Sequence, residues 1–528
     1  MSRLRSLGGV VSTRAVALAT LLVLAVVLGG TAAAVGTGAG ASAGLGGGGE
    51  AVGGEAIEGE AIGNDAADAA NVTDALVDAD ADEPDRPTEP GVARVVPGST
   101  DASTDSAAGE SETYDDLAAA VDAAGPGDTV EVSGVFEPAE TVVLDEPNAT
   151  IRGTGAEAAL IDGGGEDTVL AVRAANVTVE GIRIHDSGED LESEDAGVFL
   201  AERADGAVLA DLYLSDVAFG VWVNGADRIV VRDSRIEGTE DPRFVDRGNG
   251  INLWETTGSE IRNNEITGVR DGIYFSWASD VETTGNALWD LRYGVHYMYS
   301  DDNRLADNVA VGNDVGYALM VSEGVEATNN TAVANRGRSG HGILLKEIED
   351  SVVRGNDLVA NDQGLFLYNA QRNEVRGNLV YANGVGVHHS ADTQGTVVVG
   401  NDFVGNGEQV LTTTRELLAW NGSDRGNYWS DARVADSDGD GVGEARHRPA
   451  GAAERLVQEH PSAAVFANGP AFDAIRLVES RFPVVETAGV VDHRPLASPS
   501  HDLEPYRPYA AAVDPAVEYD DDPGDQHH

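Results

Sequence analysis

The 528-residue chain contains no cysteine. Disulfides, zinc–thiolate sites, thiol nucleophiles and a lipid anchor on an N-terminal cysteine are therefore excluded. Methionine is nearly as scarce, with three in all, one of them the initiator. Lys346 is the sole lysine among 34 basic residues, which face 90 acidic ones for a net charge of −56. Phosphate contacts need basic patches, so no nucleic-acid partner is expected. Such a charge accompanies disorder when apolar residues are few, but 42% of this chain is hydrophobic, enough to build a core. Excess acid with Arg in place of Lys reads as halophilic adaptation to molar salt, where self-repulsion is screened over about 3 Å.

The compartment must be read from the N-terminus. Arg3, Arg5 and Arg14 precede the apolar run Ala15 to Gly29 and then Thr31-Ala-Ala-Ala34. That is the pattern of a secretory signal. Left uncleaved, Ala15 to Val35 is about long enough to span a bilayer as an anchor. Residues 1–35 are read as signal peptide or N-terminal anchor, and the remainder as exported. Residues 36–112, rich in Gly, Ala, Asp and Glu with almost no aromatics, read as a disordered tether.

The folded part shows itself through spacing. Asn264, Asn286, Asn308 and Asn330 recur every 22 residues, and Asn356, Asn378 and Asn401 follow after 26, 22 and 23. A glycine ladder runs beside them: Gly250, Gly272, Gly294, Gly316, Gly342, Gly364 and Gly386, with the same four-residue insertion near Arg336 to His341. Two ladders sharing one insertion mark a structural repeat. Units this short, alternating apolar and polar, bury a face only by stacking. The expected fold is all-β, a right-handed parallel β-helix of about 22-residue coils over 113–412, with a small helical C-terminal extension. Tyr114 to Gly134, helical over Asp115 to Ala124, reads as its N-terminal cap.

Alternation places the side chains. Counted from each ladder glycine, positions +1 and +3 are nearly all apolar, from Ile251/Leu253 to Val387/His389, and form the core face. Positions +2 and +4 then point outward: Asn252/Trp254, Tyr274/Ser276, His296/Met298, Ala318/Met320, Leu344/Lys346, Phe366/Tyr368 and His388/Ser390. An outward face carrying Trp254, Tyr274, Phe366, Tyr368 and His388 reads as a partner-binding surface. The two internal methionines, Met298 and Met320, are one coil apart and stack about 4.8 Å from each other, with His296 about 6.5 Å along the strand. Two thioethers and an imidazole suit Cu(I) and are wrong for Mg²⁺ or Ca²⁺. The plainer alternative is that the methionines fill gaps, with a one-residue slip burying both.

Residues 413–500 read as an extension of different character. Asp436, Asp438, Asp440 and Glu444 occupy positions 1, 3, 5 and 9 of a calcium-type loop with Gly441 at 6, but His447 stands where an EF-hand has Glu, so only a short Ca²⁺ clip is expected, against the alternative of a plain acidic turn. Ala453 to Gln458 and Pro470 to Phe482 read as amphipathic helices whose apolar residues, Phe472 and Phe482 among them, cap the solenoid or dock a partner. Residues 501–528 read as an acidic tail.

The stretches RYGVHYMYSDDN (292–303), ALMVS (318–322), GILLKEIEDSVVRGN (342–356), GLFLYNAQRNEVRGN (364–378) and GNYWSDARVADSDGDGVGE (426–444) resemble the NosD family of nitrous oxide reductase maturation factors. The tail RLVQEHPSAAVFANGPAFDAIRLVESRFPVVETAGVVDHRPL (455–496) strengthens the likeness, since few other β-helix proteins share it. The resemblance implies a non-catalytic, extracytoplasmic protein that works in denitrification with an ABC transporter, its ATPase NosF and permease NosY, and with the copper chaperone NosL. Together they would assemble the Cu–S centre of nitrous oxide reductase, with His296, Met298 and Met320 as a transient station for Cu(I). One departure is Ala432 after Ser430-Asp431, where an aromatic is usual. The alternative is a β-helix polysaccharide-active enzyme or a carbohydrate-binding surface protein. The +2 and +4 columns argue against the enzyme, because they carry no Asp or Glu and only Lys346 as a base.

Overall fold

The computed structural model describes residues 76–77, 87, 89–96, 112–154, 159–239, 243–390, 392–460, 469–481 and 487–513. The N-terminal signal or anchor, most of the tether and Phe482 lie outside these residues. Among the described residues no helix is long and apolar enough to cross a membrane.

Strands of mostly three to six residues wind into three long sheets of 14, 13 and 12 strands, each sheet taking one strand from every coil. All pairings inside the coils are parallel, and the chain is the all-β parallel β-helix that the spacing predicts. The core columns are in register: Ile273, Val295, Tyr317, Ile343, Leu365 and Val387 stack one above another. They belong to a single continuous core running the length of the solenoid.

The asparagine ladder satisfies the turns from inside. From Asn264 through Asn286, Asn308, Asn330, Asn356, Asn378 and Asn401 to Asn427, each Nδ2–H donates to Oδ1 of the next coil's asparagine at 2.8–3.0 Å. A second ladder, Asn335, Asn361, Asn383 and Asn406, repeats the arrangement at another corner. The first ladder ends on the buried carboxylate of Asp492, which accepts Asn427 N–H at 2.7 Å and Trp429 Nε1–H at 2.9 Å. A buried polar group left without its partner costs about 1–3 kcal/mol. Asn308→Ala strands groups on Asn286, Asn330 and Thr283 at once, so chemical denaturation in high salt should show a loss of about 3 kcal/mol or more.

The glycine ladder has a steric cause. A Cβ on Gly272, Gly294, Gly316 or Gly342 would stand 2.5–2.7 Å from the carbonyl oxygen of the next ladder glycine. On Gly272 it would also meet the core side chains of Leu288 and Leu291, so this position faces inward, as does +1. Two consecutive inward positions reverse the alternation, as an extra residue does in a bulge. The residue before each glycine is thereby turned outward.

The ends of the solenoid are covered. Helix α1, Leu117–Ala123, starts at Asp116, whose carboxylate accepts Ala119 N–H at 3.2 Å. It packs on strands Val92–Val96 and Val142–Leu144. The strand Val92–Val96 pairs antiparallel with Thr129–Ser133, inside the segment expected to be tether. The C-terminal extension folds as a three-stranded sheet with helices α2, Ala452–Glu459, and α3, Pro470–Arg481. The acidic tail also starts later than residue 501. His501 donates to Asp402 at 2.7 Å, Tyr506 OH donates to Asp357 at 2.6 Å, and helix α4, Arg507–Val513, lays Tyr509 and Ala510 over an apolar outer patch that includes Trp289, Val311 and Tyr381.

Candidate metal-binding face

The 12-stranded sheet carries the predicted site on its outer side. Its strands Asp271–Ser276, Tyr293–Met298, Val315–Glu323, His341–Glu349 and Gln363–Tyr368 are neighbours. The register pairs Met298 with Met320, and Met320 with Lys346, so the two thioethers are vertical neighbours as the 22-residue step predicts. Both methionines are half-buried.

His296 is far less open than an outward position suggests, at 8% exposed. The cause is the residue before each ladder glycine, the column that strict alternation assigns to the core. Asp271 stands there, fully buried, and accepts His296 Nδ1–H at 2.9 Å. Arg292 grips the same carboxylate through Nε at 2.8 Å and Nη2 at 2.5 Å. Tyr274 and Tyr293 wall the imidazole, with ring centroids 5.0 and 4.9 Å away. Burial by itself would raise the Asp271 carboxyl. The hydrogen bonds from His296 and Arg292, with the adjacent positive charge, outweigh it and hold the group below the usual carboxylate range. An ionised acceptor on Nδ1 fixes the tautomer of the neutral imidazole, whose lone pair then sits on Nε2. Nε2 is buried and has no hydrogen-bond partner. A histidine held by a carboxylate on one nitrogen and vacant on the other is the arrangement found behind metal-ligating histidines.

The same two columns recur farther along. His341 precedes Gly342, is 6% exposed, and has a buried Nδ1 without a partner. Burial, with His388 nearby, pushes its pKa down to about 4, so the ring is neutral. His388 donates from Nδ1 to Gln363 at 3.0 Å, two coils beyond His341, and stacks on Phe366 at 4.3 Å. Val315, Ala318, Leu344, Tyr293, Met320 and Phe366 form an apolar cluster separate from the core. Of the predicted partner-contacting rings, Trp254 and Tyr368 are exposed, and Tyr274, Phe366 and His388 are half-buried.

Asp271, Arg292, Tyr293, His341 and Gln363 were not foreseen. The signal was a run of polar or aromatic residues immediately before the glycines, which alternation counted as inward. With Asp271 the face does hold an acid, contrary to the reading of the +2 and +4 columns alone. Two rings lie just past the strand ends. Trp277 and Tyr299, 58% and 44% exposed, stack at 4.8 Å with 12° between planes, each at a positive φ that side chains other than glycine rarely take.

Other predicted positions are placed differently. Phe472 is buried at 5% exposed and serves the packing of the C-terminal extension, so its ring is not offered to a partner. In the Asp-rich loop, Asp436, Asp438 and Asp440 bring carboxylate oxygens within 4.8 Å of one another. They already accept the loop's own amides, from Gly439, Gly441, Asp440 and Val442. Glu444 accepts Ser437 N–H at 2.7 Å. Calcium takes six to eight oxygens from mono- or bidentate carboxylates, carbonyls and water, and the three carboxylates supply part of that set.

Residues 233–433 match the profile described as periplasmic copper-binding protein (NosD). A protein of Pseudomonas aeruginosa named "Probable ABC transporter binding protein NosD" is 38% identical over 67% of this chain and 85% of its own length. The chain belongs to the NosD family. A relative of the same printed name from Stutzerimonas stutzeri is 35% identical over 64% of this chain and 80% of its own. Similar solved structures include the Dettilon tailspike protein, at 15% identity and TM-score 0.46 over 56% of this chain and 63% of that one. An alginate lyase follows at 13% identity and TM-score 0.42, over 61% and 86%. The NosD relatives are named as binding proteins, which agrees with a non-catalytic role.

Proposed function

We propose that this chain is an extracytoplasmic accessory protein of nitrous oxide reductase maturation that takes up Cu(I) transiently on the outer face of its 12-stranded sheet. The ligands are His296 Nε2 and the thioethers of Met298 and Met320. The observation that carries this reading is the buried, unpartnered His296 Nε2, with Nδ1 tied to Asp271, on the strand that stacks Met298 on Met320. Neutral nitrogen and thioether sulfur suit Cu(I). The family description supports copper as cargo, and the relatives' printed name supports an ABC transporter as partner. NosF, NosY and NosL are the partners expected from the family likeness, with Trp254 and Tyr368 as contact residues. A polysaccharide-active enzyme is disfavoured. Such chemistry needs a free acid and base; the carboxylate of Asp271 is already engaged by Arg292 and His296, which leaves Lys346 as the one candidate base of the +2 and +4 columns.

Anaerobic Cu(I) titration in high salt against a competing chelator tests the site. Met298→Leu/Met320→Leu and His296→Ala are expected to lose most of the affinity. Asp271→Asn, which removes only the carboxylate behind the histidine, is expected to weaken binding about 10–100-fold. Equal affinity in the parent and the methionine double variant would remove this site from consideration.

A further inference from the structure

Lys346 is the only lysine in the chain, which elsewhere uses arginine for positive charge. It does not stand at a random place. It pairs in register with Met320, in the column that runs Ser276, Met298, Met320, Lys346 and Tyr368. Its side chain is half-buried, and among the described residues it has no ion pair or hydrogen bond. Glu349, three residues on, is taken by Arg372. In a chain with 90 acidic residues an unpaired ammonium is unusual.

The charges around the metal-binding face make this meaningful. Asp271 and Arg292 cancel each other in a direct ion pair. The thioethers and the His296 lone pair are neutral donors. Before any ion arrives, the thioether column itself carries only the positive charge of Lys346, about one coil from the Met320 sulfur, while Asp314 adds a negative charge near Arg292 and Tyr293. A bare Cu(I) on neutral ligands would meet that charge with repulsion. At an effective dielectric of about 20, two like charges a few ångströms apart change an equilibrium by more than about tenfold. The repulsion becomes attraction if Cu(I) brings an anion with it. Lysine suits that task, because its compact ammonium contacts a small anion as a point charge, whereas the planar fork of arginine is shaped for carboxylates and phosphates.

We propose that the site takes Cu(I) together with a soft monoanionic co-ligand, a thiolate-type sulfur or a halide, and that Lys346 contacts this anion. The inference rests on the copper site proposed above. No electron is transferred; copper stays Cu(I) and exchanges one donor for the protein's sulfur and nitrogen atoms. Met298, Met320 and His296 hold the metal, and the co-ligand completes the coordination on the side of Lys346.

The test compares the full chain with Lys346→Gln and Lys346→Leu, which avoid adding a new thioether. Cu(I) affinity is measured anaerobically against a chelator in molar sodium sulfate alone, with added chloride, and with added 2-mercaptoethanol. The ratio of parent to variant affinity is read within each condition, so that changes in free Cu(I) cancel. In sulfate alone, both variants are expected to bind at least about threefold tighter than the parent, because repulsion, partly screened by the molar salt, is relieved. With a soft anion the order reverses, the parent binding about tenfold tighter. Reversal by the thiol identifies a sulfur anion, and reversal by chloride alone identifies a halide. A ratio that ignores the anion overturns the role of Lys346 and leaves the copper site standing. No binding by the parent in any condition overturns both.

Discussion

Gly294→Ala is expected to be among the most damaging single-methyl additions this chain can receive. The new Cβ would stand 2.5 Å from the carbonyl oxygen of Gly316 and 3.3 Å from the Ala310 methyl. The first is backbone, fixed by the next coil, and no rotamer change can relieve it. The coil must separate from its neighbour, opening hydrogen bonds on both sides. The expected cost is on the order of 3 kcal/mol or more, read as a lower denaturation midpoint in high salt. Gly377→Ala is the control. Gly377 has φ +60 with nothing within 4 Å of its added Cβ, so it pays only the left-handed backbone penalty, about 1–2 kcal/mol. If the two variants are equally affected, close coil stacking is not what the glycine ladder serves.

The second large effect concerns acid. His389 occupies a core position at 2% exposed, beside Trp420. Burial pushes its pKa down to about 4, helped by His388 and partly opposed by a backbone hydrogen bond. Above the ordinary value near 6.5 both folded and unfolded forms are neutral, and the group costs nothing. Between 6.5 and 4 the unfolded chain binds a proton that the folded one refuses, so stability falls as pH falls. Below 4 the loss stops growing. Over this window the shift amounts to about 3 kcal/mol. His389→Leu removes the group. Its stability relative to the parent should therefore improve by about 3 kcal/mol between pH 7 and pH 4. Other acids such as Asp357 and Asp362, whose carboxyls partial desolvation raises, are common to both proteins and cancel. Parallel pH profiles for parent and variant would contradict a neutral buried histidine.

The repeat was legible because it is written in spacing. A 22-residue step in Asn and Gly fixes coil length, and coil length fixes which residues become vertical neighbours. That was enough to stack Met298 on Met320 and to name the apolar core columns. It was not enough to describe the environment of His296. Alternation was carried straight through the glycines, and the glycines are where alternation fails. Two inward positions in a row turn Asp271, Tyr293, His341 and Gln363 outward; of these, Asp271 and Tyr293 bury His296, and Asp271 fixes its tautomer. For the C-terminal helices the sequence leaves capping and partner docking open, for a different reason. An apolar helix face looks the same in sequence whether it meets a partner or its own chain, and Phe472 meets its own chain.

The sequence by itself determined the fold, the register and the soft donor pair, because a solenoid makes local periodicity equal to tertiary neighbourhood. Only the tertiary structure decided the state of the donors. Whether a nitrogen is vacant, a carboxylate spent or a lysine unpaired depends on residues about 25 positions apart in the chain, brought together beside the glycine ladder, where adjacent coils approach too closely for a Cβ.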